Sequence, residues 1–273
     1  MTDADGDLRR YLRRIGVEDR PPATSVFDPG GAPAALESHL EQSAHLMLSL
    51  KISMACWIVA SETATRSKIA AARRHGVFTS AGGGPYEIAV AQGALADYLA
   101  LCAGVGLECI ECGHGFTEGT LAPDDVVRMA TEHGLSVDFE LGNKHGGPFT
   151  DEVVGELIEE GKQWLAAGAR RLVVEARESG QGIGCFDHSG QLLAEHAERL
   201  AEAFGLQTLV FEAPTKPNQF AFLNHFGPAV QLGNVRLDEL LRVEIYRRGI
   251  HSDAFLQPRL RPPSPTSAIA GRG

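Results

Sequence analysis

Val173 to Asp187 reads VVEARESGQGIGCFD, and Leu209 to Gln219 repeats its plan as LVFEAPTKPNQ. Each is a short apolar run that closes on a glutamate, Glu175 or Glu212, and breaks at once into a loop rich in Gly or Pro. A buried strand followed by a function-bearing loop has this form. Working outward, the same unit recurs along the chain. Strands are predicted over 24–28, 47–53, 77–80, 107–111, 135–141, 171–175, 207–212 and 229–232. Helices are predicted between and after them, over about 33–45, 61–75, 85–102, 123–133, 151–167, 191–204, 214–225 and 237–248. Strands alternating with helices imply a parallel sheet with right-handed crossovers. Eight such pairs predict an α/β fold, a single-domain (β/α)8 TIM barrel over residues 23–255. An open doubly wound sheet is the alternative, and the loop after Thr24–Asp28 lacks the G-x-G-x-x-G of a dinucleotide fold.

Residues 1–22 form an N-terminal extension whose Leu8-Arg-Arg-Tyr-Leu-Arg-Arg segment reads as an outlying basic helix or a solvated tail. Residues 256–273 are rich in Pro and Ser and predict a disordered tail. The chain has 273 residues, 44% hydrophobic and 22% charged, as a globular protein does. No apolar run approaches the roughly 20 residues that span a bilayer, and the N-terminus has no apolar signal core. The expectation is a cytoplasmic protein without a membrane partner. A net charge of −10 argues against nucleic acid. It leaves room for small anionic substrates, because a few cations or a metal reverse the local field. The five cysteines, Cys56, Cys102, Cys109, Cys112 and Cys185, read as buried thiols, not disulfides.

Alternate side chains of a barrel strand point inward, and active sites gather at the C-terminal strand ends. Met47, Ser49 and Lys51 then share one face, as do Ser136, Asp138 and Glu140, Val173 and Glu175, and Thr208, Val210 and Glu212. Four consecutive strands end in an inward glutamate: Glu111, Glu140, Glu175 and Glu212. Carboxylates so placed repel unless cations intervene; Lys51, Lys144 and Arg177 are candidates. Oxygen-rich ligands with few imidazoles suit Mg²⁺ better than zinc, so a divalent-metal site handling phosphate or carboxylate is inferred. Gly180, Gly182 and Gly184 alternate in a loop able to turn backbone N–H groups toward an anion, or to serve plain tight turns. Gln219 and Asn234, after the seventh and eighth strands, join them as substrate-binding candidates. Gly82-Gly83-Gly84 is a second candidate phosphate cradle. Cys109-x-x-Cys112-x-His114 has the look of half a zinc site, although strand parity separates the cysteines, and Cys112 with His114 nearby is a candidate nucleophile.

With these blocks in view, VVEARESGQGIGCFD, VFEAPTKPNQFAFLNHFG and RVEIYRRGIHSDAF together resemble the phosphosulfolactate synthase family over about residues 25–255. The resemblance implies a Mg²⁺-dependent (β/α)8 barrel that adds sulfite to phosphoenolpyruvate. It implies attack on the methylene carbon, with Mg²⁺ and cationic residues holding carboxylate and phosphate, and proton delivery to the neighbouring carbon. Lys144 matches the general acid, Arg177 the arginine of the R-E-S-G block, and Lys51 a lysine closing the second strand; His114 falls in the fourth strand-end motif. Glu140, Glu175 and Glu212 match carboxylates able to hold the metal. The chain departs from the family pattern at Ile52–Trp57, at Gly113-His114-Gly115, at Asn143 and at Pro29, and two of these changes remove lysines. They leave open a different nucleophile or another enol or phosphorylated carboxylate, or a non-catalytic, stress-associated role. A homo-oligomer is compatible with the family.

Overall fold

Eight strands form where the alternation predicts them: β1 (Thr24–Asp28), β2 (Met47–Ile52), β3 (Thr79–Ala81), β4 (Cys109–Cys112), β5 (Ser136–Leu141), β6 (Arg171–Val174), β7 (Leu209–Glu212) and β8 (Gln231–Arg236). Each pairs in parallel with the next, and β8 returns to β1, so the sheet is a closed barrel. The open doubly wound alternative falls with that closure. The computed structural model describes residues 4–52, 54–117 and 121–261. The tail expected to be disordered lies outside them from residue 262 onward.

The helices are α1 (Ala4–Arg14), α2 (Pro33–Ser43), α3 (Cys56–Val59), α4 (Glu62–Arg74), α5 (Gly83–Ala91), α6 (Leu95–Val105), α7 (Pro123–Glu132), α8 (Asp151–Ala167), α9 (Ala194–Phe204), α10 (Lys216–Phe226) and α11 (Leu240–Arg247). Two differences from the sequence reading have local causes. One helix was expected to run through Cys102; Gly93, at φ +66°, breaks it into α5 and α6. Gly233-Asn234 was expected to follow the eighth strand, but both residues lie within β8. A Cβ on Gly233 would come 2.9 Å from Val210 Cγ1, so this glycine permits β7 and β8 to approach and makes no turn. Among the described residues no helix is long and apolar enough to cross a membrane.

Strand parity divides the core as the sequence implies. Ile110, Val137, Phe139, Leu172, Val174, Leu209 and Phe211 pack in the large apolar cluster beneath the helices. The opposite parity places Ser49, Lys51, Glu111, Asp138, Glu140 and Glu212, all buried, inside the barrel. Met47 is an exception: the β1–β2 register slips between Thr24 and Ser25, and Met47 joins the apolar cluster. Polar groups inside the barrel are paired: Ser49 Oγ donates to Ser25 Oγ at 2.8 Å, and Arg170 donates to both oxygens of Asp138 at 3.0 and 2.6 Å.

The β1–β8 seam is strapped at its base by Arg247 of α11, which is 1% exposed. Its guanidinium donates to Pro228 O, Val230 O, Ala23 O, Thr24 Oγ1 and Glu244 Oε1. Replacing it leaves the carbonyls of Ala23, Pro228 and Val230 without this donor and takes one of two guanidiniums from the buried Glu244, which keeps Arg248 and Thr24 Oγ1. Arg247→Met is expected to destabilise the protein by roughly 3–5 kcal/mol in urea unfolding; a change near zero would show that the seam closes without this strap.

Candidate active site

The C-terminal strand ends open into a cavity of about 540 Å³ lined by Lys51, Glu140, Lys144, Glu175, Arg177, Glu212 and Asn234. The chain reaches this geometry through its backbone as well as its charges. Three non-glycine residues have left-handed φ among the described residues, Met54 (+50°), Arg177 (+54°) and Asn234 (+52°), and all three line the cavity. Such conformations cost about 1–2 kcal/mol each and persist where the surroundings enforce them, commonly at functional sites.

Two ammoniums organise the carboxylates. Lys51 Nζ, at the end of β2, stands 2.7 Å from Glu111 Oε2 and 3.2 Å from Glu212 Oε1, bridging β4 and β7. Lys144 Nζ, beyond β5, stands 2.9 Å from both Glu140 Oε2 and Glu175 Oε2. The free oxygens of the last strand ends are held by backbone: Arg177 N donates to Glu175 Oε1 at 2.6 Å and Ala176 N to Glu212 Oε2 at 3.1 Å. Arg177 Nη1 donates to Lys144 O at 3.1 Å, and Lys144 N donates to Gly115 O at 2.8 Å. The loops after β4, β5 and β6 are therefore tied around Lys144.

Burial works against both ammoniums, but the carboxylates outweigh it and hold Lys51 and Lys144 above the ordinary lysine value. Among the carboxylates the field divides. Burial, reinforced by the charge of Glu175, pushes Glu212 well up, and burial pushes Glu111 up to about 8. Burial also opposes ionisation of Glu140, yet Lys144 and Lys51 bring it below the usual carboxylate range. The site thus holds more carboxyl groups than ammoniums, with two of them pushed toward the protonated form. The carboxylate oxygens of Glu140, Glu175 and Glu212 are of the hard donor type that a magnesium-class cation takes. In the arrangement seen, the ammoniums stand between the carboxylates, and among the described residues no three Asp, Glu, His or Cys form a metal-binding group.

Other predicted residues lie elsewhere. Glu111 sits beneath Lys51 and does not line the cavity. His114 is turned away from it: its ring packs on Phe139 and Trp164, and Nε2 is 3.4 Å from Glu160 Oε1 of α8. Parity accounts for this, since Glu111 and Gly113 face inward while Cys112 and His114 face the helices; burial lowers the imidazole pKa. Gln219 is fully buried on α10, donating to Ala213 O and Glu239 Oε2 and accepting from Arg242, so its amide clamps helices and does not meet the cavity. The amides of Gly180, Gly182 and Gly184 donate to Ala176 O, Asp187 O and Gly147 O, so the loop turns no free N–H of these glycines toward an anion. Only Gly182 borders open space, a polar recess of about 240 Å³ shared with Lys144 and Arg177. Gly83 and Gly84 open α5 at the cavity wall, and a Cβ on Gly83 would come 2.5 Å from Glu140 Oε2. That helix N-terminus is already faced by a carboxylate. Burial pushes the thiols of Cys109 and Cys112 well up, away from the thiolate that zinc binding or nucleophilic attack uses, and among the described residues neither joins a group of three His, Cys, Asp or Glu able to hold a metal. Four of the five cysteines are buried as expected; Cys56 is only half-buried.

Sequence reasoning missed Glu87. Its side chain is fully buried on α5; Oε2 accepts from Phe116 N, Thr117 N and Thr117 Oγ1, and Oε1 has no hydrogen bond at 4.0 Å from Lys144 Nζ. A lone carboxylate in the apolar run Pro85-Tyr-Glu-Ile-Ala-Val was the available signal.

A closed eight-stranded barrel with paired charges at its C-terminal strand ends has the architecture of the (β/α)8 enzymes. The chain belongs to the (2R)-phospho-3-sulfolactate synthase (ComA) family, which it matches over residues 19–253. It is 30% identical over 233 residues to the phosphosulfolactate synthase of Methanocaldococcus jannaschii, covering 85% of this chain and 93% of that one. It is 29% identical over 193 residues to that of Bacillus subtilis, covering 69% and 75%. Solved structures share the fold alone. The YdjI aldolase of Escherichia coli K12 superimposes with TM-score 0.52 at 16% identity, covering 92% of this chain and 90% of that one. The carboxyl transferase domain of Rhizobium etli pyruvate carboxylase gives 0.55 at 12%, covering 83% and 43%.

The raised pKa of Glu111 predicts a pH effect in metal-free protein. The folded state keeps this proton where the unfolded chain has lost it. The contribution to stability is full below the ordinary value of 4.5 and disappears as pH rises through about 8. Melting temperature should fall more steeply between pH 5 and pH 8 in the wild type than in Glu111→Gln; parallel slopes would contradict the assignment.

Proposed function

We propose that the chain adds sulfite to phosphoenolpyruvate to give phosphosulfolactate, with Mg²⁺ as cofactor. The observation that carries this reading is the placement of Lys144. Its ammonium lines the cavity between Glu140 and Glu175, in the same space as Lys51 and the exposed Arg177. In the reaction the sulfur lone pair forms a bond to the methylene carbon. The double-bond electrons move toward the carbon that bears phosphate and carboxylate, and that carbon takes a proton. Lys144 is charged at neutral pH and stands as a proton donor at the cavity. Arg177 suits a phosphate or carboxylate through its planar fork, and Lys51 adds a second fixed charge.

Glu140, Glu175 and Glu212 would hold the cation, which supplies charge stabilisation for the carboxylate as electrons arrive on it. The same pair that orients Lys144 also holds its proton tightly. With Glu140 and Glu175 neutralised, that proton is released more readily. A second reading, a different nucleophile on phosphoenolpyruvate, is favoured by the lining itself. Lys51, Lys144, Arg177 and Arg236 face an equal number of carboxylates, and Phe27, Met54, Pro85 and Ile88 make one wall apolar. Two small dianions would enter a cavity with no surplus of positive side chains.

Phosphorus NMR of protein, phosphoenolpyruvate, sulfite and Mg²⁺ tests this directly. A new phosphate-ester signal is expected that requires sulfite. Chelation with EDTA should abolish it and added Mg²⁺ restore it. Lys144→Ala should slow it by about 10²-fold or more. Mg²⁺-dependent phosphoenolpyruvate binding without turnover would transfer the proposal to another nucleophile; neither binding nor turnover would overturn it.

A further inference from the structure

Beside the mouth cavity lies a larger one, of about 720 Å³, between the ends of β1 and β2 and helices α3 and α4. The two share Pro29 and Ala55 as a sill. Its walls are mostly apolar, with Pro33, Ile52, Trp57, Val59 and Ala64 among them. Thr65 Oγ1 donates to Trp57 O at 2.9 Å and ties α3 to α4 at the cavity wall.

The charged lining consists of Asp28 and Lys68, paired at 2.6 Å with side chains 1% and 9% exposed. Asp28 is well supplied: Gly30 N and Gly31 N donate to Oδ1 at 3.1 and 2.7 Å, and Lys68 Nζ donates to Oδ2. Lys68 is not. An ammonium carries three N–H donors, and Asp28 is the only acceptor that Lys68 meets among the described residues. Lys68 itself lines the cavity, whose walls are otherwise mostly apolar. A largely apolar space of several hundred cubic ångströms with one convergent polar group is the form of a small-molecule site.

We infer that this cavity binds an organic molecule with an apolar body and an acceptor oxygen, carboxylate or carbonyl, placed on Lys68 Nζ. The direction of polarity follows from the donors: Asp28 already accepts from three groups, whereas Lys68 still has protons to give. The size follows from the volume, far more than an inorganic anion fills. The site does not depend on the addition reaction proposed above.

Cys56 provides the test, because it lines the cavity and is the one cysteine of the five that is not buried. Its labelling by a disulfide reagent such as DTNB can be timed with and without 4-phenylbutyrate, and with and without 4-phenylbutanamide. The acid and the amide distinguish a carboxylate from a carbonyl head. Either probe is expected to slow labelling by about tenfold when present at ten times its dissociation constant. Ala64→Leu narrows the cavity without touching the ion pair and should abolish protection while the melting temperature holds. The double variant Asp28→Asn/Lys68→Met removes the donor without leaving a buried charge, and it should weaken protection by about tenfold, as losing one hydrogen bond to a charged group does. No slowing by either probe at millimolar concentration, or undiminished slowing in Ala64→Leu, would overturn the inference. Phosphoenolpyruvate binding, followed separately, reports on the mouth cavity alone.

Discussion

Two ammoniums, Lys51 buried and Lys144 half-buried, stand among five carboxylates and hold the open end of this barrel in shape. Lys51 joins β4 to β7 across the interior, and Lys144 joins the ends of β5 and β6 while Glu87 of α5 stands behind it. Taking such charges out of water is expensive, and an apolar core of equal volume is often as stable or more so. The same cavity is bordered by left-handed backbone at Met54, Arg177 and Asn234, none of them glycine. Local rules broken together at one place, in a barrel that keeps them elsewhere, mark the place where stability has been given up for chemistry.

The fold was legible because its signal repeats. Eight apolar runs, each closed by turn residues, leave little choice of architecture, and strand parity follows from the two-residue period without further information. The glutamates were legible for the same reason: Glu111, Glu140 and Glu212 share the inward parity of Lys51 and Asp138, and Glu175 continues the parity of Val173. The errors fall where parity stops. Beyond β4 the chain continues extended for two residues, so His114 follows Cys112 outward to Trp164 and Glu160, although its neighbours in sequence suggested the mouth. Gln219 lies one turn inside α10, and a helix has faces that loop-like spacing does not disclose. Glu87 belongs to a strand–helix unit whose importance came only from Lys144, some sixty positions later.

The glycines of the β6 loop show how one residue type hides two purposes. Alternation at Gly180, Gly182 and Gly184 suggested amides aimed at an anion. Positive φ at all three is real, at +58°, +64° and +60°. What it achieves is closure of the loop on itself: each amide finds a backbone carbonyl, and Asn218 Nδ2 reaches Gly180 O at 3.1 Å. The loop so closed carries the Ala176 amide against Glu212 and the Arg177 amide against Glu175. Its contribution to an anion site therefore runs through the side chain it carries.

Base and mouth of the barrel use the same charged residues to opposite ends. At the base, Arg170 meets Asp138 with two hydrogen bonds, and Arg247 fills its donors with carbonyls and Glu244, so both of these guanidiniums are matched. At the mouth the matching is incomplete. Glu111 and Glu212 are pushed toward their protonated forms, Glu140 is drawn the other way, and Glu87 keeps an oxygen without a hydrogen bond. A proton inventory of this kind is poised, since a cation or an anionic ligand entering the cavity changes which groups hold protons. The Asp138 and Glu244 pairs at the base resist such redistribution because their partners are guanidiniums, which do not release their protons. Lysines at the mouth can, and that difference in side-chain chemistry separates the end of the barrel that fixes the fold from the end that can carry out a reaction.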